Sequence, residues 1–260
     1  MIAILVVGVA LVGLLIGSFL NVVIWRVPKG ESIVSPPSHC PGCDRPIRPR
    51  DNVPVLSWLL LRGRCRDCGT GISARYPAVE LATAVVFGVL AWRFGFDSAL
   101  PAYLYLGAIG VALAMIDVDV HRLPDAIVLP SYGVAAVLLL APAIITSAWG
   151  DYLRAGLGGL VLFGLYFLLA FIYPAGMGFG DVKLAGVLGA YLAWLGWGVL
   201  LIGGFLGFLL GGVVGGALML VHRAGRKSKI PFGPFMLTGA FIAILAGQRI
   251  FDGYLNLMGI

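Results

Sequence analysis

Four cysteines and two aspartates carry the chemistry that can be read from this chain. The cysteines form two pairs, Cys40-Pro-Gly-Cys43 and Cys65-Arg-Asp-Cys68, with 21 residues (44–64) between them. Two Cys-x-x-Cys pairs at this separation match a tetrahedral zinc site closed by four thiolates. Gly42 and Gly69 supply turn freedom, while Arg45, Arg64 and Arg66 favour the thiolate form that a metal requires. Such a site folds a loop rather than catalysing. Two disulfides or a redox dithiol are the alternatives, and His39 beside Cys40 reads as a bystander.

The acids number 12 in 260 residues, so each one near an apolar run stands out. Glu80 lies just inside such a run. Asp117, Asp119 and Asp125 fall in one short segment, and Asp181 ends the Gly178-Phe-Gly-Asp181 sequence. An ionisable group at a membrane boundary is costly and is by default a functional candidate. Asp125 follows Pro124 and is explained by helix capping. Asp181 could cap the next helix and pair with Lys183, and Asp119 reads as a loop charge matched with Arg122. Asp117 directly follows an apolar run, where the helix dipole disfavours a carboxylate. Two carboxylates brought together share one proton, because both cannot ionise at close range. The ionised one takes a proton from water while the protonated one polarises a peptide carbonyl. That is aspartic-protease chemistry, and Asp117 with Asp181 is the expected pair.

The elements that must hold these groups are membrane helices. The chain is 60% hydrophobic and 12% charged, with a mean hydropathy of +1.00; soluble domains run near ~45–50% and ~25%. A soluble fold of this length could not hide that much apolar surface, and disorder, collagen and a basic nucleic-acid-binding domain are excluded too. Apolar runs predict about eight transmembrane helices, an all-α polytopic membrane protein. They lie near 2–25, 77–92, 99–116, 126–147, 155–173, two within 182–221, and 232–250. Residues 184–221 hold no charge, are too long for one span, and suit two short helices turning near 195–198. The 38 glycines favour close helix contact in lipid, as at Gly13 and Gly17.

Charge placement sets the expected orientation. With eight spans, the odd-numbered loops hold Arg26, Lys29, Arg45, Arg48, Arg50, Arg62, Arg64, Arg66, Arg75, Arg122, Lys183, Arg223, Arg226, Lys227 and Lys229, against Arg93, Arg154 and Arg249 on the other side. By the positive-inside rule the odd loops are cytoplasmic and both termini are outside. The first run lacks a basic segment before it and reads as an anchor, not a cleaved signal. The net charge of +6 then reflects topology and contact with anionic lipid, not nucleic acid. A reducing cytoplasm also disfavours disulfides at the cysteines.

Taken in order, several blocks resemble the bacterial type IV prepilin peptidases, leader peptidases that are also N-methyltransferases. They are residues 17–28, the two cysteine pairs, 61–65, 72–80, 116–119 with 123–125, 176–181 and 230–235. The Gly-x-Gly-Asp element is also similar to that of presenilin-type intramembrane proteases. The resemblance implies cleavage of a basic leader from prepilins or pseudopilins after a Gly, at the cytoplasmic face of the bacterial inner membrane. It also implies methylation of the new N-terminus with S-adenosylmethionine. It assigns the catalytic aspartates to Asp117 and Asp181, with Asp119 as runner-up, and zinc to Cys40, Cys43, Cys65 and Cys68.

The organisation expected is a first transmembrane helix (1–25), a cytoplasmic zinc loop that would serve methyl transfer (26–76), and a seven-helix peptidase domain (77–260). Methyl transfer has no glycine-rich fingerprint. Gly63, Arg75 and Glu80 are candidates for it, although Glu80 could simply pair with Arg75 and Gly63 could simply form a turn. Residues 230–235, with two prolines, would line a substrate entrance or merely start a helix. A transporter or secretion-assembly component with a zinc-stabilised cap is the alternative. Polar groups at mid-membrane in matching halves would mark a transporter, whereas here the acids gather at one face.

Overall fold

A computed structural model describes residues 1–174, 177–221 and 231–259. Gly176, the bases Arg223, Arg226, Lys227 and Lys229, and Ile230 lie outside the described residues. Helices are the only extended regular elements among the described residues, with two isolated bridges in the loop between the first two long helices. Backbone polar groups in lipid must be satisfied within the segment, so apolar runs become helices. The helices are α1 (Ile2–Arg26), the short α2 (Leu56–Leu60), α3 (Arg75–Phe94), α4 (Leu100–Val120), α5 (Asp125–Ile145), α6 (Trp149–Ile172), α7 (Phe179–Leu195), α8 (Trp197–Leu220) and α9 (Gly233–Met258). Seven of them are long and apolar enough to cross a membrane. The protein is an all-α, multi-pass membrane protein.

The eighth long helix, α7, has 17 residues, about 25 Å at the helical rise, short of a ~30 Å hydrocarbon core. It ends at Gly196, whose φ of +144° turns the chain into α8, where the uncharged stretch was expected to fold back. Its last carbonyls are not left bare. Arg154 donates from Nε to the Ala193 carbonyl at 2.6 Å and from Nη2 to that of Trp194 at 2.7 Å. The same guanidinium meets Asp151 at 2.9 Å.

The chain divides into two compact units, Met1–Ala112 and Leu113–Ile260, with the division inside α4. In the first, α1 lies along α3 with almost no space between them. A Cβ on Gly13 would stand 2.8 Å from the Ala84 Cα, and one on Gly17 2.7 Å from the Glu80 Cα. Arg26, at the end of α1, donates to the Ser32 and Pro36 carbonyls at 2.9 and 2.7 Å and so ties the following loop to the helix.

In the second unit the buried helix is α7, with Val182, Leu184, Ala185, Tyr191 and Ala193 fully enclosed. Glycines let α6 reach its backbone. A Cβ on Gly189 would overlap the Gly158 carbonyl oxygen and stand 2.9 Å from the Leu162 Cβ. Gly207 of α8 and Gly239 of α9 permit the same approach, a Cβ on Gly239 falling 2.6 Å from the Gly207 nitrogen. We therefore expect Gly189→Ala to destabilise the protein by about 1–3 kcal/mol or more, because backbone cannot step aside. Gly164→Ala, with nothing within 4 Å of the new Cβ, should leave the melting temperature in detergent unchanged.

Candidate active site and cysteine cluster

Asp117 sits in the last turn of α4, 5% exposed, whereas Asp119 is exposed. The helix runs past Asp117 to Val120, so the carboxylate lies within its C-terminal turn, where its dipole is unfavourable. The compensation comes from another helix. Asp117 Oδ2 accepts the Gly233 N–H at 2.9 Å, and Gly233 is the first residue of α9. The positive end of α9 thus faces the carboxylate. Glycine is required at this contact, because a Cβ there would be 2.8 Å from Asp117 Oδ2.

Asp181 lies in the first turn of α7 and is 8% exposed. Its Oδ2 accepts the Gly178 N–H at 3.1 Å, while its own N–H donates to the Gly178 carbonyl at 3.0 Å. Leu123 brings the two starts together: a Cβ on Gly180 would meet the Leu123 Cβ at 3.0 Å, and one on Gly233 would meet its Cδ2 at 3.3 Å. The carboxylates of Asp117 and Asp181 lie within electrostatic reach of one another, and Tyr166 is within reach of Asp181. Phe232, just before Gly233, stands 6.4 Å from the Tyr166 ring and 5.4 Å from Phe208. Tyr166, which reaches Asp181, thus stands in an aromatic cluster whose Phe232 directly precedes the Gly233 that holds Asp117.

Asp181 caps the start of α7 as expected, but the expected cap at Asp125 and the expected pairing of Lys183 with Asp181 both change. Asp125 is the first residue of α5 and makes no cap hydrogen bond. It instead holds Lys183, which donates to its two carboxylate oxygens at 2.7 and 2.8 Å. Lys183 therefore pairs with Asp125, not Asp181, since the ammonium projects toward α5. The Tyr132 hydroxyl donates to the Lys183 carbonyl at 2.6 Å, further tying α5 to the first turn of α7.

The four cysteines converge in the first unit, their sulfurs all within 4.8 Å of one another, and none is in a disulfide. Both pairs are built on one pattern. Cys40 N–H donates to Arg45 O at 2.9 Å and Cys65 N–H to Thr70 O at 2.8 Å; Asp44 N–H returns to Cys40 O and Gly69 N–H to Cys65 O. The Gly42 N–H also points at Cys40 Sγ, at 3.4 Å. Cys40 and Cys68 sulfurs are 3.7 Å apart, close to the edge of about 3.8 Å expected for four sulfurs about 2.3 Å from a central zinc. The donor set and its spacing fit a soft, tetrahedral metal. His39 stays outside the cluster, its ring 3.6 Å from Asp44. Asp51 accepts Arg66 at 2.7 Å and Asp67 accepts Arg48 at 3.0 Å, bracing the loop from both knuckles.

The three candidates for methyl transfer have local partners. Gly63, at φ +66°, lies under Trp58, with a Cβ there only 2.9 Å from Trp58 Cζ2, and the Trp58 indole donates to Ile72 O at 3.0 Å. Glu80, 8% exposed, accepts the Val55 N–H at 2.7 Å and the Ser18 hydroxyl. Arg75 opens α3. Gly63 is thus the turn that the sequence allowed. Sequence reasoning missed Gly233 and Tyr166 as neighbours of the aspartates; the Phe-Gly-Pro at 232–234 was a signal for the first, and Tyr166 had none.

Comparison with known proteins bears on both units. Residues 11–94 match the bacterial peptidase A24 N-terminal domain, and residues 104–220 match the type IV leader peptidase family. The chain belongs to the type IV leader peptidase family. It is 37% identical to a prepilin leader peptidase/N-methyltransferase of Stutzerimonas stutzeri, over 94% of this chain and 91% of that protein. A protein of the same name from Pseudomonas aeruginosa is 36% identical over 96% and 93%, and one from Neisseria gonorrhoeae 34% over 93% and 90%. No solved structure matches the chain. The protein is an enzyme, a membrane protease whose relatives also carry a methyltransferase name.

The thiols differ in acidity, which sets their reactivity once metal is removed. The hydroxyl and backbone N–H of Thr70 bring Cys68 down to about 6. At Cys43 a backbone hydrogen bond at Arg45 lowers the value, but burial and the other three sulfurs outweigh it, to about 11. Cys68 is therefore mostly thiolate at pH 7.5 and Cys43 mostly thiol. After chelation we expect iodoacetamide to alkylate Cys68 first, at a rate that falls as pH drops through about 6. Cys43 should respond only in alkaline solution. Peptide mass spectrometry across pH 5–10 checks the order.

Proposed function

We propose that the chain removes the leader of type IV prepilins or pseudopilins after a Gly and then methylates the new N-terminal amine. The observation that carries the first step is the pair of buried carboxylates, Asp117 and Asp181, each held by a backbone N–H at a helix start on either side of Leu123. In this reading the ionised aspartate takes a proton from water, whose oxygen attacks the scissile carbonyl carbon. The protonated partner gives its proton to the carbonyl oxygen. Collapse of the resulting gem-diol breaks the C–N bond, and a dyad proton passes to the departing nitrogen. The products are the leader carboxylate and the amine of the mature pilin. The buried, donor-supported position of Asp117 favours it over exposed Asp119.

The four-cysteine site would hold zinc and fix the 26–76 loop. S-adenosylmethionine would supply the methyl group, carried from its sulfonium to the new amine, and Gly63, Arg75 and Glu80 are the residues we assign to that region. The reading keeps 1–25 as first span and 77–260 as peptidase domain. It sets the enzyme in the bacterial inner membrane, with loop and dyad facing the cytoplasm and both termini outside, as the distribution of bases supports.

Purified enzyme incubated with a prepilin tests the dyad. Asp117→Asn and Asp181→Asn should each lose leader removal by at least about 10²–10⁴-fold, while Asp119→Asn retains it. Normal cleavage by either of the first two would overturn the assignment. Labelled S-adenosylmethionine in the same reaction should mark the mature pilin only when cleavage occurs. Metal analysis should return one zinc per chain, lost in Cys40→Ser with Cys65→Ser.

A further inference from the structure

The 26–76 loop, although polar in composition, contains a leucine-rich stretch that the fold leaves uncovered. Leu56, Leu59 and Leu60 of α2 are 54%, 58% and 73% exposed, and Val53 just before them is 44% exposed. Their own helix has only five residues and buries none of the three leucines. In a soluble domain this would be an aggregation site; here the question is what depth the stretch occupies.

Its attachment answers that. The Val55 N–H reaches the Glu80 carboxylate at 2.7 Å, and Glu80 also takes the Ser18 hydroxyl. Glu80 is five residues into α3, roughly 8 Å along its axis, and Ser18 is eight residues before the end of α1, roughly 12 Å. Asn52 and Pro54 line a cleft of about 270 Å³ with Leu15, Ser18 and Phe19. Val55 itself holds φ +61°, ψ −50°, a conformation that a β-branched residue adopts only under constraint, and the clasp on Glu80 supplies it. The loop is therefore drawn back alongside the two spanning helices, below the level of Arg26. At that end of α1, Lys29 stacks over Trp25 at 3.3 Å, an aromatic–base pairing typical of the membrane–water interface.

We propose that the 53–60 segment is an interfacial wedge, seated in the headgroup–acyl boundary of the bilayer that α1 and α3 enter, with anionic lipid as its partner. The leucines meet acyl chain, as amphipathic interfacial elements do. Just after them stand Arg62 and Arg64, both exposed, neither with a carboxylate partner among the described residues. Arg66 and Arg48, by contrast, are spent on Asp51 and Asp67. Apolar side chains at the boundary followed by unpaired bases are the complement of an anionic leaflet. The wedge would hold the cysteine cluster against the membrane surface, independently of which substrate the enzyme cuts.

The test uses the full chain in nanodiscs of phosphatidylcholine with or without phosphatidylglycerol. A benzophenone-bearing residue is placed at Leu60, and in a separate protein at Ile47, which is tied to Ser38 rather than to a spanning helix. After irradiation, mass spectrometry should find lipid adducts several-fold more abundant at 60 than at 47. Phosphatidylglycerol should be over-represented among them relative to its share of the disc. Arg62→Gln should lower that preference several-fold while cleavage and metal content persist. Equal lipid adducts at both positions, or adducts at 60 to a second copy of the chain instead of lipid, would overturn the wedge. Adducts without headgroup preference would overturn the role of anionic lipid.

Discussion

A carboxylate removed from water needs donors, and the Leu113–Ile260 unit is organised around meeting that need twice. Asp117 takes the first N–H of α9 and Asp181 takes the Gly178 N–H at the start of α7. An unsatisfied buried charge would cost several kcal/mol, so these contacts dictate where three helix ends must lie. Leu123, packed against both Gly180 and Gly233, then links the starts of α7 and α9 that carry these donors. The glycines here are not loosely placed small residues: each occupies a spot where a Cβ would strike an atom of the site.

The remaining packing of this unit serves α7. Its start is tied to α5 through Lys183, Asp125 and Tyr132, its middle is met by α6 through Gly158 and Gly189, and its end is capped by Arg154. Every helix leaves its last carbonyls without intrahelical partners, and here the guanidinium fork satisfies two of them. Arg154, one of the few bases outside the odd-numbered loops, is thus a structural cap.

The cysteine loop solves a different problem. With almost no apolar core, it relies on two matching turns, ion pairs between the knuckles, and four converging sulfurs. Small units of this kind need a staple, and four thiolates around one metal are such a staple. Belonging to the type IV leader peptidase family joins this loop and the aspartate-bearing helices into one enzyme.

The sequence by itself determined the long helices, the fold-back near Gly196, the cysteine cluster and the cost of a carboxylate at the position of Asp117. Those follow from local quantities: runs of apolar residues, the absence of charge, the spacing of ligands. It did not determine that the Gly233 N–H supports Asp117, that Lys183 chooses Asp125, that Glu80 clasps Val55, or that α4 continues beyond Asp117. Each of these joins residues distant in the chain, or depends on such a partner, through a donor or a gap that only packing creates. Residue type announced that a carboxylate was costly; tertiary structure decided what would repay it.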